Sequence, residues 1–548
     1  MKILIVAPSY VMFPIGLGYV SSCLKRAGHE VDCYTFRRAK GYVMQLQKGY
    51  DLVATGGLCC HYANLKIIAD LTKKLGRPLV VGGGVITATP ELMSRALGVD
   101  YAVVGEGEET IVELLATIER GGDPSHVKGI GYFQNGQFLL TEKRPEIRNL
   151  DALPLPDYEG FDYGKFLDAA NPGQQYYWDL FDHPREYPIV TSRSCPFPCT
   201  FCYHPIGKKY RQRSMDSVME ELQRAIPQYR INIVSIYDEL FSYNEQRVSE
   251  FCKRFRELKS SIPWDVKWLC QMRVTGLNER MLDEMRESGC FMISYGFESY
   301  STTVLESMKK RISPDEIHRA VHLTLDKKMS IQANFIFGDK AETLETARTT
   351  LDFWEGHLES GVQFTDLIVC PNSEIYKYSV GKQLIKDELD FVENHLFDPI
   401  NITSMSNRQY WEMQVLKFKR LHGNTRYIVR AERSSDGVTV KCPHCEATVT
   451  YGGLALPKYF YRKTMYCRAC RHRFFIADRV HEWMMAIATR AITPSAYRVV
   501  RKMKALRHQF QYSTFKKLDR WRGRLEISRL SRRQVVPLRS DPQDGRSQ

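Results

Sequence analysis

The run Thr191-Ser-Arg-Ser-Cys-Pro-Phe-Pro-Cys-Thr-Phe-Cys-Tyr203 sets Cys195, Cys199 and Cys202 in a C-x3-C-x2-C spacing. The segment that leads into it, Tyr187-Pro-Ile-Val-Thr191, is a short apolar run and reads as a buried strand. The cysteines therefore sit on the loop after a strand. Three thiolates on one loop can hold three irons of a 4Fe-4S cluster and leave the fourth iron without a protein ligand. Clusters that only carry electrons are held by four cysteines, so an open iron implies a small molecule bound there. The competing readings are chance and a partial zinc site, with His204 two residues on as a nearby ligand.

Outward from this loop, residues 187–390 alternate strand and helix. Further strands are predicted over 231–237, 266–271, 292–295, 331–337 and 366–369. Polar groups fall where these strands end. Asp238 and Glu239 follow the second strand and Arg273 the third. Glu298 follows the fourth in Tyr295-Gly-Phe-Glu-Ser299, and Gly338 follows the fifth. Active sites of α/β barrels lie at the carboxyl ends of their strands. A carboxylate there can accept from an ammonium, and a guanidinium can pair with a carboxylate. Taken singly, each residue is equally a solvated or paired surface group.

Residues 1–150 alternate in the same way. Strands are predicted over 2–7, 30–35, 52–56, 79–81 and 101–104, and helices over 16–27, 62–75, 90–97 and 109–119. This predicts an α/β fold with a doubly wound parallel sheet. Ligands of such sheets bind at the carboxyl ends of the strands. The loops there hold Tyr10, the glycines of Gly82-Gly-Gly84, and Gly105, Glu106 and Gly107. Glycines at these positions let a backbone approach a ligand closely. The bland alternative is a flavodoxin-like turn with no ligand. His61 reads as a hydrogen-bonded wall residue.

The remainder is support and tail. Residues 151–186 open on the proline-rich Leu150-Asp-Ala-Leu-Pro-Leu-Pro-Asp-Tyr158 and form a linker. Its aromatics, Tyr176, Tyr177 and Trp178, are expected to pack rather than to cap a cavity. Residues 391–435 read as a helical connector. Over 436–478, Cys442-Pro-His-Cys445 and Cys467-Arg-Ala-Cys470 are two C-x2-C knuckles 21 residues apart. Four thiolates make a closed tetrahedral site, so this segment reads as a small zinc ribbon. One iron or an auxiliary iron–sulfur cluster is the alternative. From Arg479 to Gln548 the chain carries 17 Lys/Arg and 5 Asp/Glu, a net of +12 out of +14 for the whole protein. Residues 479–530 look helical, with Trp483, Met484 and Ile487 at helical spacing among basic residues. This basic tail suits an anionic membrane surface or nucleic acid. A solvated helix followed by a disordered end from 531 is the plain alternative.

At 548 residues and 43% hydrophobic content the chain can build several cores. No stretch reaches the roughly 18 apolar residues of a membrane span. Met1-Lys-Ile-Leu-Ile-Val-Ala7 reads as a first strand rather than a signal peptide. Fifteen cysteines, seven of them in the two motifs, point to a reducing cytoplasm, with any membrane contact peripheral and through the tail.

The cysteine loop and its setting, with Phe201 and Tyr203 around the last cysteine, resemble the radical S-adenosylmethionine (SAM) superfamily. The resemblance implies a partial (β/α)6 barrel over 187–390 and SAM chelated at the open iron. It further implies contacts from Asp238, Glu239, Arg273, Glu298 and Gly338. Pro14-Ile-Gly-Leu-Gly18, Gly28-His-Glu-Val31, Val80-Val-Gly-Gly-Gly84 and Val104-Gly-Glu-Gly-Glu-Glu109 resemble the cobalamin-binding domain of one subgroup. That implies cobalamin contacts from Tyr10, Gly83, Gly105, Glu106 and Gly107. Two departures stand out. Pro8-Ser-Tyr-Val-Met-Phe-Pro14 lacks the D-x-H-x-x-G motif, so no histidine on cobalt is implied. Lys340-Ala341 replaces the usual proline-glycine pair ahead of Glu342. The commonest chemistry in the subgroup is methylation of an unactivated carbon or phosphorus, here expected on a carbon of a small molecule or biosynthetic intermediate. One SAM supplies methyl and a second supplies the hydrogen-abstracting radical, with electrons from a flavodoxin- or ferredoxin-type donor. Cyclisation or rearrangement, tRNA or other nucleic-acid modification, and a non-catalytic corrinoid scaffold are the alternatives.

Overall fold

The protein is described by a computed structural model over residues 1–9, 12–499 and 501. Tyr10 and residues 502–548, with the tail expectations that rest on them, lie outside the described residues. The described residues form two units, one of residues 1–17 and 24–143, the other of 18–23 and 144–501.

The first unit is a seven-stranded sheet in the order β2-β1-β3-β4-β5-β6-β7. Its strands are β1 (Lys2–Ala7), β2 (Glu30–Thr35), β3 (Leu52–Gly56), β4 (Leu79–Gly82), β5 (Tyr101–Val103), β6 (Ile130–Gln134) and β7 (Gln137–Leu140). In chain order the helices are α1 (Ile15–Arg26), α2 (Ala39–Leu46), α3 (Tyr62–Lys74), α4 (Gly84–Ala88), α5 (Pro90–Leu97) and α6 (Glu108–Glu119). β1 to β5 are mutually parallel, and Ile3 to Ala7 of β1 are fully buried, as a strand covered on both faces requires. The order reverses between β1 and β3, which is the switch point where such sheets open a ligand crevice. The sequence reading missed β6 and β7. They form an antiparallel hairpin whose turn is Asn135-Gly136, both at positive φ (51° and 80°). An Asn-Gly pair between apolar runs is the strongest short-range hairpin signal, so the sign was present.

The second unit is built on six parallel strands. They are β8 (Glu186–Ile189), β11 (Ile233–Ile236), β12 (Lys267–Met272), β13 (Cys290–Glu298), β14 (Ser330–Phe337) and β15 (Val362–Asp366), ordered as in the chain. This is the open (β/α)6 arrangement expected. β15 lies at 362–366 rather than 366–369. The short strands β9 (Ser192–Arg193) and β10 (Arg211–Gln212) pair antiparallel and bracket the cysteine loop. The helices are α7 (Tyr163–Asp168), α8 (Met215–Tyr229), α9 (Glu245–Ser260), α10 (Glu279–Ser288), α11 (Thr302–Ser307), α12 (Pro314–Asp326), α13 (Leu344–Gly356), α14 (Glu374–Gly381), α15 (Glu388–Asp390) and α16 (Asn407–Gly423). Ser313 and Glu316 close a capping box on α12, with Pro314 at its first position.

Two three-stranded sheets follow. β16 (Ile428–Val429), β20 (Arg462–Tyr466) and β21 (Arg473–Ala477) make one; β17 (Glu432–Ser434), β18 (Gly437–Lys441) and β19 (Thr448–Gly452) make the other. These strands begin at Ile428, inside the stretch read as connector. Among the described residues, the helix predicted over 479–530 is interrupted at 492–493 and resumes over 494–499. α17 (Arg479–Ala491) ends before Ile492, whose backbone is extended (ψ 125°), and Pro494 follows. Among the described residues, no helix is long and apolar enough to cross a membrane.

Candidate active site and metal centres

The cysteine loop leaves the carboxyl end of β8, and Asp238 fixes its root. The Asp238 carboxylate accepts from the backbone N–H of Thr191 and Ser192 (2.6 and 3.0 Å) and from their hydroxyls (2.5 and 2.7 Å). Burial raises its pKa against these four bonds. Asp238 was expected to face SAM; its oxygens are instead committed to holding the loop. Arg211 ties the loop's far side, donating to Ser194 Oγ (3.2 Å) and to the Ile206 and Ile147 carbonyls (3.3 and 2.7 Å).

Cys195, Cys199 and Cys202 are partly buried. Burial pushes the Cys195 thiol up and the Cys202 thiol up to about 12. Cys195 and Cys202 take the thiolate form only with positive charge close by, as metal binding supplies. Residues from beyond the neighbouring strand ends approach the loop that carries them. Arg273, after β12, lays its guanidinium on the Phe197 ring of the loop, 3.8 Å from the centroid. It donates through Nη2 to the carbonyls of Lys310 and Arg311, while its buried Nε makes no hydrogen bond. Glu298, the last residue of β13, accepts from Lys310 Nζ at 2.7 Å in a pair about nine-tenths buried. Lys310 lies 5.9 Å from the Phe201 ring. Gly296 makes room, since a Cβ there would stand 2.4 Å from Glu298 Oε1 and 2.6 Å from Lys310 Nζ. Glu239, after β11, is exposed and 3.6 Å from His204 Nδ1.

Gly338, after β14, holds φ at 123° and donates its N–H toward Glu342 (3.4 Å). Glu342 and Asp339 are buried, and burial lifts the Glu342 carboxyl to about 8. Beside them Asp366, the last residue of β15, accepts from Lys417, Gln414 (2.7 Å) and Arg501 (2.9 Å). Sequence reading missed Lys310 and the Asp366 cluster. Their partners are distant in the chain, and only the crowded Gly296 hinted at the first.

In the first unit, Gly83 (φ 82°) and Gly57 approach so closely that a Cβ on Gly83 would stand 2.9 Å from the Gly57 carbonyl. Val85 N–H donates to that carbonyl (2.9 Å), and Gly105 N–H (φ 85°) to Thr87 Oγ1 (3.0 Å). These glycines form a low shelf along the carboxyl edge of β3, β4 and β5. Glu106 is buried beside it, and Gly107 caps the start of α6. Met12 and Leu58, at the switch point, are exposed. A bare backbone shelf flanked by exposed apolar side chains suits a large flat ligand. His61 Nδ1 accepts from Leu58 N–H (3.2 Å), and burial lowers its pKa, as a wall residue requires.

The four knuckle cysteines meet. Cys442 and Cys470 Sγ are 3.8 Å apart, as are Cys445 and Cys467 Sγ, and all four lie within 4.8 Å of one another. A tetrahedral ion with bonds of about 2.3 Å sets its sulfurs about 3.8 Å apart. This site lies at the other end of the barrel strands. Ser330 Oγ at the start of β14 donates to the Arg471 carbonyl (3.0 Å), Tyr466 OH to Ile331 (3.0 Å), and Arg473 Nε to Leu358 ahead of β15 (2.7 Å). Tyr466 packs with Ile233, Met292, Tyr177 and Trp178. Tyr177 OH and Trp178 Nε1 donate to Glu186, the first residue of β8 (2.7 and 2.6 Å). The linker aromatics thus pack, as expected, at the amino ends of the strands.

The profile of the radical SAM superfamily matches residues 189–353, and that of the B12 binding domain residues 1–115. An uncharacterized methyltransferase of Pyrococcus horikoshii is 28% identical over 68% of this chain and 79% of its own length. The anaerobic magnesium-protoporphyrin IX monomethyl ester cyclase of Rubrivivax gelatinosus is 24% identical over 60% of this chain and 58% of its own. The solved radical S-adenosylmethionine methyltransferase TsrM from Kitasatospora setae shares the fold, with a TM-score of 0.59 at 18% identity, over 70% of this chain and 76% of that one. A 4Fe-4S cluster and SAM go with the radical SAM domain, and cobalamin with the B12-binding domain. The chain is a radical SAM enzyme with an N-terminal B12-binding domain, homologous to the cobalamin-dependent radical SAM methyltransferases.

Proposed function

We propose that this enzyme methylates an unactivated carbon of a small-molecule substrate. In this reading residues 1–150 hold cobalamin, 187–390 cleave SAM, and 436–478 brace the barrel. Bound there, the cluster and cobalamin supply one-electron cleavage of SAM to a carbon radical and a methyl group for transfer. An external electron donor supplies the electron.

The protein's own part follows from the residues around the loop. Cys195, Cys199 and Cys202 ligate three irons. Arg273, immobilised on Phe197 with Nε turned to no protein acceptor, receives the SAM carboxylate. Glu239 accepts from the SAM amino group, and Asp238 positions the loop rather than the substrate. Glu298, neutralised by Lys310, and Gly338 line the rest of the SAM pocket. Gly83, Gly105, Glu106 and Gly107 carry the cobalamin. The observation that carries this reading is the convergence of Arg273 and the Glu298–Lys310 pair, from neighbouring strand ends, on the cysteine loop. Anaerobic reconstitution with iron, sulfide, cobalamin, SAM and a one-electron reductant tests it. 5′-Deoxyadenosine and S-adenosylhomocysteine are expected. Absence of both with the cluster confirmed overturns it. The cyclase relative keeps ring formation as the second reading, which would give 5′-deoxyadenosine without S-adenosylhomocysteine.

The ribbon is proposed to hold one zinc ion. A cubane, with its metals at alternate corners, spreads its thiolates wider than the 3.8 Å pairs seen. α17 exposes Val480, Trp483 (67%), Met484 and Ile487, at spacings of three and four that make one apolar face. With 17 basic residues from Arg479 on, this favours an anionic membrane surface over nucleic acid. Co-sedimentation with phosphatidylserine vesicles, lost in Trp483→Glu, is the expected result. Retention of RNA and not vesicles would reverse the choice.

A further inference from the structure

Outside the sites above, three histidines converge on the outer layer of the barrel. His318 and His322 are one turn apart on α12, so their rings share a face. Their Nε2 atoms are 3.0 Å apart. His357 caps the carboxyl end of α13, with its ring 6.0 and 5.9 Å from those of His318 and His322. One ligand nitrogen from each lies within 4.8 Å of the other two.

The surroundings fix these rings. His357 Nδ1 is 2.8 Å from the Phe353 carbonyl. Donating there, it keeps its proton on Nδ1 and leaves the Nε2 lone pair available, the arrangement common to metal-bound histidine. The same ring stacks on Phe353 (4.1 Å, 19°), which stacks on Tyr300 (3.8 Å, 17°). His318 meets Phe353 edge-on at 6.3 Å. Two charged imidazoles would repel at the His318–His322 separation. With the protons on Nδ1, both Nε2 atoms carry lone pairs, 3.0 Å apart.

We propose that His318, His322 and His357 bind one divalent transition ion of the zinc, nickel or copper class through three neutral imidazoles, with a fourth position open to solvent. An all-imidazole set suits these borderline ions and not magnesium or calcium. The ion would tie α12 to α13, the helices on either side of β14 in the chain. It would also sit one residue from Leu358, the acceptor of the ribbon's Arg473.

The full-length protein, with its cluster reconstituted and its ribbon thiols metal-loaded, is dialysed against a weak chelator and then titrated with ZnCl2. One further zinc per chain is expected, with a zinc-dependent rise in melting temperature. His318→Ala and His322→Ala should each weaken this uptake at least about tenfold, by analogy with losses at metal sites, and His322→Ala/His357→Gln should abolish it. Iron content and the melting temperature in chelator should not change, which shows the variants are folded. Cys467→Ser should keep this uptake, which separates it from the ribbon ion. Unaltered zinc affinity in the histidine variants, or no further zinc in the wild type, would overturn the proposal.

Discussion

The two cysteine motifs hold opposite ends of one barrel and are built in opposite ways. The ribbon brings four thiols to 3.8 Å pairs before any metal is considered. Its knuckles are clamped by β18, β19, β20 and β21, and its face is sealed onto the amino ends of the strands. The carboxyl-end loop brings three thiols together more loosely. Among the described residues, the ribbon thiols and the three histidines are the groups with ligand atoms all within 4.8 Å; the loop cysteines are not. The loop is anchored at its root by Asp238 and left open where Arg273 and Lys310 approach. A closed four-ligand site supports structure, whereas a three-ligand site with unspent polar groups beside it supports chemistry. Distance separates the roles as well, for β14 alone, at eight residues, spans about 26 Å.

The largest effect expected is at the loop. Cys199→Ala should remove the cluster and reduce 5′-deoxyadenosine formation to background, with ribbon metal unchanged by elemental analysis. Cys467→Ser is the counterpart. It should lose the ribbon ion and at least ~5 kcal/mol of stability, because metal binding there is folding free energy. The denaturation midpoint reads this. At a temperature where the variant stays folded, SAM cleavage per molecule should stay within about twofold. If cleavage collapsed while loop iron stayed intact, the ribbon would be carrying electrons, and the division between the two ends would be wrong.

Both motifs were legible because their pattern is local: three cysteines within eight residues, or two pairs each within four. The parallel strands were legible for a similar reason, as buried apolar runs such as Ile3–Ala7 need no partner to be seen. What surrounds the motifs was not. Lys310 reaches Glu298 across α11, Lys417 and Arg501 reach Asp366 across 51 and 135 residues, and no periodicity records such pairings. Asp238 stands at the strand end where it was expected, with its carboxylate bonded to its own loop. A strand-end carboxylate can face a ligand or its own loop, and only the positions of Thr191 and Ser192 decide. The α17 boundary shows the reverse case, where Pro494 was visible and the apolar spacing was allowed to override it.

A mid-sized effect tests the loop end's electrostatics. Lys310→Met would leave Glu298 buried without its cation and should cost ~3 kcal/mol, since removing one member of a buried pair strands the other. Adding Glu298→Gln should recover much of that loss, because the uncompensated charge goes with it. If stability recovers while SAM affinity stays low, the pair serves the ligand. If both recover, the pair is structural and the loop end resembles the ribbon end more than its open thiols suggest.

The smallest effect tests the seal. Tyr466 OH donates to the Ile331 carbonyl at 3.0 Å, buried at the foot of β14. Tyr466→Phe keeps the ring among Ile233, Met292, Tyr177 and Trp178 and removes only that donor, so ~1 kcal/mol is expected for the unsatisfied carbonyl. The location of the loss matters more than its size. Hydrogen exchange should rise in β20, β21 and the first residues of β14, and stay unchanged over 194–203. Faster exchange in the cysteine loop as well would mean that the strands transmit strain from one end to the other. The ribbon would then tune the site it was taken only to brace.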